Sequence, residues 1–246
     1  MENIINLGIP HVGEQIFESM DTLGLINCLE VSQTWRVLAE NVLIKRWKGK
    51  MVEACKSGET KVVELLLEQC DSEESGLNTK DNLGMTAFMW ACSNGYSDVV
   101  KLLLDHSNSG IDLNAVDDNG ITAFSLACAK GHKDVVQLLL DYSEIIELNA
   151  RDNAGFTAFM WACNWGQIDV VKLLLEHSDI IDLNAKNIDG LTAFMWACFK
   201  GHKDVVQLLL DYSEIIELNA RDNAGFSAFI WACNWGQIEV VKLILE

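Results

Sequence analysis

The sequence predicts an all-α-dominated fold: a solenoid of short helix pairs, each closed by a hairpin-like loop, behind a small unit of three helices. Three observations predict it. The doublet Ala-Cys followed by two residues and Gly recurs with its cysteine at Cys92, Cys128, Cys163, Cys198 and Cys233, at intervals of 36, 35, 35 and 35 residues. An aliphatic octet of the type DVVKLLLE follows every copy. Residues 1–50 stand outside this period and carry a different apolar pattern. A fixed period of this length means units that bury their apolar faces against one another.

The unit from Asp152 to Ala185 shows how each element arises. Thr157 is the N-cap of a short helix, and Gly155 supplies the tight backbone in front of it. Phe159, Ala162 and Cys163 stand at i, i+3 and i+4, on one stripe of that helix, and Gly166 ends it. In the following octet Val170, Val171, Leu173, Leu174 and Leu175 cover more than half of the helix circumference, so this second helix needs neighbours on several sides. DIIDLNA then reads as a short extended stretch leading into an Asp/Asn and Gly turn.

The pattern is met five times, with turn glycines at Gly84, Gly120, Gly155, Gly190 and Gly225 and repeats beginning near 81, 117, 152, 187 and 222. A degenerate copy over 51–79 keeps Ala54, Cys55 and Gly58 but lacks the leading turn and threonine. With GMTAFMWACSNGYSDVVKLLL and its copies on the page, residues 51–246 resemble an ankyrin-repeat domain. Departures are visible. The family's Thr-Pro is Thr-Ala here (Ser227-Ala228 in the last copy), and its first-helix histidine is replaced by Met89, Ser125, Met160, Met195 or Ile230. Each repeat is longer than the common ~33 residues, and the surplus lies in the loop after the second helix, where insertion is cheap.

In residues 1–50, Asp21 and Thr22 are turn or cap residues before a helix carrying Leu25, Ile26, Leu29 and Val31, and a further helix follows Gln33. By composition this is a small helical unit able to cap one end of a solenoid. The order Ile16, Phe17, Met20, Asp21, Leu25, Cys28, Val31, Trp35, then Leu38 and Trp47, is similar to the F-box pattern. The opening Leu-Pro of that family appears as Ile9-Pro10, displaced relative to Ile16-Phe17. The resemblance implies docking on the Skp adaptor, and through it a cullin, of an SCF ubiquitin ligase, with Pro10, Ile16, Phe17, Met20, Leu25, Cys28, Val31 and Trp35 as the adaptor-binding residues. Only Lys48, Gly49 and Lys50 separate Trp47 from the first repeat, which predicts rigid coupling of the two parts. An F-box ahead of a repeat array implies a substrate receptor; the alternative is an ankyrin scaffold whose first helices only cap it.

Composition excludes several classes. Half of the 246 residues are apolar and 22% are charged, which rules out disorder. No apolar run reaches membrane-spanning length, and MENIINLGIPHVGEQIF has no basic leader, so a cytoplasmic or nuclear location without membrane contact is expected. The net charge is −18, and residues 1–50 hold 5 basic against 6 acidic residues, which leaves −17 on the remainder. Such a surface repels nucleic acid and suits either a basic protein partner or solvent. The periodic cysteines recur once per stacked unit, on the order of 10 Å apart and beyond disulfide reach, and read as small buried hydrophobes. There is no CxxC pair, zinc spacing, phosphate loop or nucleophile setting, so no cofactor, metal or catalysis is expected.

With Phe159, Ala162 and Cys163 inward, Trp161, Asn164 and Trp165 face away from the second helix. The regular series Trp90, Leu126, Trp161, Trp196, Trp231 points to packing between repeats. The variable series Asn94, Lys130, Trp165, Lys200, Trp235 points to a presented surface. Adding the position before it, with Phe199, and the residues after the turn glycine, Met85, Phe156, Leu191 and Phe226, gives the expected substrate-binding groove. Residues 128–176 and 198–246 match at 44 of 49 positions, and the one unmild difference, Ala129 against Phe199, falls in that groove. The last octet, ending at KLILE, lacks a polar covering repeat, so further repeats, a second copy or fraying of the final helix is expected.

Overall fold

A computed structural model describes residues 10–47, 49–68 and 76–246, without the side chains of residues 10–14 and Ser109. Three helices come first: α1 (Pro10–Ser19), α2 (Thr22–Cys28) and α3 (Gln33–Trp47). The degenerate repeat supplies α4 (Met51–Ser57) and α5 (Thr60–Glu68). The five full repeats follow as pairs: α6 (Ala87–Asn94) with α7 (Ser97–Asp105), and α8 (Ala123–Lys130) with α9 (Lys133–Asp141). Next come α10 (Ala158–Asn164) with α11 (Ile168–Glu176), α12 (Ala193–Lys200) with α13 (Lys203–Asp211), and α14 (Ala228–Asn234) with α15 (Ile238–Leu245). The even-numbered helices from α4 to α14 stack in one row and the odd-numbered from α5 to α15 in a second.

Local chemistry fixes where the inner helices start and stop. The hydroxyls of Thr86, Thr122, Thr157, Thr192 and Ser227 accept from the backbone N–H three residues on, at 3.2–3.4 Å. Each such cap is worth about 1 kcal/mol. Gly95, Gly131 and Gly201 end their helices in the left-handed conformation. In α10 and α14 the closing residue is instead a tryptophan, Trp165 or Trp235, with the positive-φ glycine one place later. The core is continuous. Phe88, Phe124, Phe159 and Phe194, the paired valines from Val62-Val63 to Val205-Val206 and Cys55 through Cys198 of the inner row are all buried.

Repeats are tied together by more than apolar contact. In every full repeat the N–H of the leading Asp or Asn donates to the carbonyl of the residue after the turn glycine, as Asp152 to Phe156 at 3.0 Å. Adjacent turns then join, with Asn153 N–H donating to Asn119 O at 2.9 Å and Ile188 N–H to Ala154 O at 3.2 Å. Gly155 sits at φ +80°, and a Cβ there would stand 2.9 Å from the Ile188 nitrogen. Glycine is thus demanded twice, by conformation and by the approach of the next repeat.

The extended stretch expected after each second helix is absent. Residues 178–184 form consecutive turns, and among the described residues the only strand-like pairing is an isolated bridge between Val116 and Thr122. These turns hold because an asparagine from one repeat serves the loop of the next. Asn149 Nδ2 donates to Ile180 O while its Oδ1 accepts from Asp182 N–H, both at 2.8 Å. Asn114 does the same for Ile145 and Glu147, and Asn184 for Ile215 and Glu217.

At the front, Asp21 caps α2 by accepting from Gly24 N–H at 2.7 Å. Both α1 and α2 pack on α3, and α3 packs on α5, burying Ala39, Val42 and Leu43. The first helices and the array therefore share one core. Among the described residues no helix is long and apolar enough to cross a membrane.

Candidate protein-binding face

The inner helices turn one side away from the outer row, and that side carries a line of large rings. Trp90, Trp161 and Trp231 are half-buried, and each indole Nε1 donates to the leading aspartate of its own repeat: to Asp81 at 2.8 Å, Asp152 at 3.0 Å and Asp222 at 2.9 Å. The other carboxylate oxygen accepts two turn N–H groups, as Asp152 Oδ1 does from Ala154 and Phe156. Burial works against the Asp81 carboxylate, but the N–H groups of Leu83, Trp90 and Met85, with Lys56 nearby, outweigh it and hold the carboxyl below its usual range. The tryptophan series therefore holds the turns and packs the repeats.

Trp196 breaks the pattern. Its repeat begins with Asn187, whose Oδ1 accepts from Asp189 and Leu191 N–H, leaving an amide nitrogen where the other repeats offer a second oxygen. The buried Trp196 Nε1 has no hydrogen-bond partner.

The rings continue from repeat to repeat. Phe156 lies 4.7 Å from Trp161 and 4.9 Å from Trp196, centre to centre, and Trp196 lies 5.4 Å from Phe199. Phe199 meets Trp231 at 5.6 Å and Trp235 at 4.8 Å, both near perpendicular. The arrangement is the edge-to-face geometry that aromatic quadrupoles favour. Lys56 Nζ lies over the Trp90 ring and Lys200 Nζ over the Phe199 ring, at 4.1 and 4.9 Å.

The expected groove residues divide. Trp165 and Trp235 are each 59% exposed, Lys130 and Lys200 are exposed, and Phe199 is half-buried among the tryptophans. Asn94 is half-buried, its amide donating to Lys56 O at 3.1 Å, which ties two repeats together. Met85, Phe156 and Leu191 do not line an open surface: Phe156 is 8% exposed and the other two are also buried. The reason is the close stacking of the turns, which places each of these side chains under the next repeat. Phe226, in the last repeat, is exposed. Asn164, expected to face outward, is buried.

A cavity of about 290 Å³ opens on this face beside Ala129, walled by Ile121, Leu126, Lys130, Trp161, Trp165 and Gln167. Gln167 Nε2 donates to Ala129 O at 3.0 Å, fixing one wall, and Gln237 does the same to Phe199 O. His132 and His202 make the corresponding contact to Ser93 O and Asn164 O, both at 2.9 Å.

The N-terminal candidates also divide. Phe17, Leu25 and Cys28 are buried, so they form the core of the three helices and offer nothing to a partner. Trp35 packs edge-on against Phe17 at 5.7 Å, and Ile16 and Met20 are half-buried. Pro10 opens α1, and its side chain lies outside the described ones. Val31, just past the end of α2, is 54% exposed, and Leu23 and Val37, not singled out by the sequence pattern, are exposed beside it in the same helical unit.

Burial pushes the Cys55 thiol up to about 12, and those of Cys92, Cys128, Cys163 and Cys198 well above their ordinary value. All of the described cysteines are free thiols, and Cys233 is exposed. Among the described residues no group of three or more His, Cys, Asp or Glu could hold a metal ion.

The ankyrin-repeats family model matches three times, over residues 50–117, 107–187 and 179–246. The crystal structure of EF0377, an ankyrin repeat protein, is similar over 81% of this chain and 98% of its own, at 27% identity and a TM-score of 0.67. The comparison with curated proteins finds no match. Ankyrin repeats are protein-binding modules, and from residue 50 to residue 246 this chain belongs to the ankyrin-repeat family.

Proposed function

We propose that the protein is a non-catalytic substrate receptor: the inner-helix face holds a protein, and the N-terminal helices dock on the Skp adaptor and, through it, the cullin of an SCF ubiquitin ligase. The observation that carries the binding half is the exposed pair Trp165 and Trp235 with the half-buried Phe199 beside Trp235, because large rings at a rigid surface are the residues that dominate protein recognition. The −17 charge over residues 51–246 favours a partner with a basic surface. The seven described cysteines, all free thiols, suit a reducing cytoplasmic or nuclear compartment. The adaptor half rests on the F-box-like order of apolar residues and on the exposed Leu23, Val31 and Val37. Packing of α3 on α5 would hold the captured protein at a fixed distance from the ligase.

The same packing favours a second reading, in which the three helices only cap the array. Titration of the full chain with the Skp adaptor separates the two. The informative variant replaces Leu23, Val31 and Val37 by serine, since alanine at buried Phe17 or Leu25 would damage the fold itself. Tight binding lost in the triple variant supports the receptor. A folded wild-type chain that does not bind leaves a capped scaffold.

A further inference from the structure

Two copies of one site stand on the binding face, one filled and one empty. Each residue around the cavity has a counterpart seventy positions on: Leu191, Trp196, Phe199, Lys200, Trp231, Trp235 and Gln237 stand where Ile121, Leu126, Ala129, Lys130, Trp161, Trp165 and Gln167 stand, so the two copies differ at Leu126 against Trp196 and Ile121 against Leu191 as well as at Ala129 against Phe199. In the later copy, the Phe199 ring stands edge-on between Trp231 and Trp235, beneath Lys200. In the earlier copy Ala129 leaves this space open, as the cavity of about 290 Å³ between the equivalent Trp161, Trp165 and Lys130.

We propose that the cavity beside Ala129 is a side-chain pocket that takes a phenylalanine ring presented by a partner protein, in the place that the chain fills for itself with Phe199. The inference rests on the reading of this face as a protein-binding surface and names what the partner must bring. The chemistry selects an aromatic ring over an aliphatic one. Two indoles standing near perpendicular to a ring pair with it edge to face, and a lysine ammonium covers its negatively polarised face. An aliphatic side chain satisfies neither contact. The walls are preset, since Trp161 is held by Asp152 and Gln167 by Ala129 O, so little ordering cost attends entry.

The test is a titration of the full chain with N-acetyl-phenylalaninamide, followed through the indole N–H resonances assigned by tryptophan substitution. Saturable shifts confined to Trp161 and Trp165, in the millimolar range usual for a fragment, are expected from wild type. Ala129→Phe should abolish them while leaving the circular dichroism unchanged. Phe199→Ala should create a second set at Trp231 and Trp235, a gain that damage to the fold does not produce. Non-saturating shifts spread over all the tryptophans overturn the pocket. So do equal shifts with N-acetyl-leucinamide. Self-association of the wild type that Ala129→Phe removes would assign the pocket to a second copy and overturn a different protein as its occupant. Selection of displayed peptides on wild type and on Ala129→Phe separates this inference from its parent. Peptides rich in phenylalanine that fail on Ala129→Phe support the pocket. Peptides that depend on Trp235 but not on Ala129 keep the binding face and overturn the pocket. No enrichment on wild type overturns the binding face, and the pocket as a protein site with it.

Discussion

Replacing Asn187 by aspartate should stabilise the protein, and the reasoning can be checked step by step. Trp196 Nε1 is buried without a partner, whereas the equivalent indoles of Trp90, Trp161 and Trp231 each donate to a carboxylate oxygen. A buried donor left unpaired costs roughly 1–3 kcal/mol. Supplying an ionised acceptor recovers that cost, less the desolvation of a new carboxylate. Here the desolvation is softened, because Asp189 and Leu191 N–H already donate to the other oxygen, and at the equivalent Asp81 the same kind of turn and indole hydrogen bonds hold the carboxyl below its usual range. A net gain of about 1 kcal/mol is expected, which for a urea slope of roughly 3 kcal/mol per molar moves the midpoint up by about 0.3 M. The gain requires the ionised form, so it should be present at neutral pH and vanish as the pH falls through the carboxylate range. Urea unfolding followed by far-ultraviolet circular dichroism reads it, in wild-type and Trp196→Phe backgrounds. A midpoint that does not rise, or a rise that persists when the indole N–H is gone, would refute the account.

Further consequences follow from the same contacts. Asp152→Asn, the reverse exchange, should cost about 1–2 kcal/mol and protect Trp161 N–H less against hydrogen exchange. Gly155→Ala should lower stability by about 2 kcal/mol or more, because the left-handed backbone and the approach of Ile188 N both exclude a Cβ; the urea midpoint measures it. Asn149→Ala removes two 2.8 Å hydrogen bonds to the next loop and should cost about 1–2 kcal/mol, with exchange accelerating first at Asp182 N–H. Native-state alkylation followed by mass spectrometry should label Cys233 at least about tenfold faster than Cys92, Cys128 or Cys163, since Cys233 is exposed to the reagent whereas burial shields the other three and pushes their thiols up.

The fold was legible because its signals repeat. A threonine cap, an i, i+3, i+4 stripe and a glycine stop are weak singly, but five copies in register leave one architecture, and Thr157, Phe159 and Cys163 do what their spacing says. The loops were less legible. DIIDLNA has strand-like composition, yet its backbone groups are claimed by Asn149 and its equivalents in neighbouring repeats, a contact some 31–33 residues distant in sequence. Site exposure was misread for a related reason. A residue next to a turn glycine is ordinarily presented to solvent, but here Met85, Phe156 and Leu191 fall under the following turn, so stacking overrides local position. In the first helices Phe17 and Leu25 were expected to meet the adaptor, whereas α1 and α2 pack on α3, which packs on α5, and the shared core buries them.

The duplication turns one sequence difference into a structural comparison made within a single molecule. Thr157 against Ser227 preserves a cap, and Met160 against Ile230, Asp169 against Glu239 and Leu174 against Ile244 preserve apolar or acidic character. Of the five differences within the duplicated segment, only Ala129 against Phe199 changes what the surface presents. With Phe199 in place, Trp231 and Trp235 spend their faces on a residue of their own chain, and that part of the face is rigid and closed. With Ala129 in place, the equivalent sides of Trp161 and Trp165 line the open cavity. A closed and an open copy two repeats apart set the register of a partner that crosses both, because its ring can enter only beside Ala129. Ala129→Phe and Phe199→Ala in one chain would exchange the two, and a partner read by register should then bind shifted by two repeats or lose affinity outright.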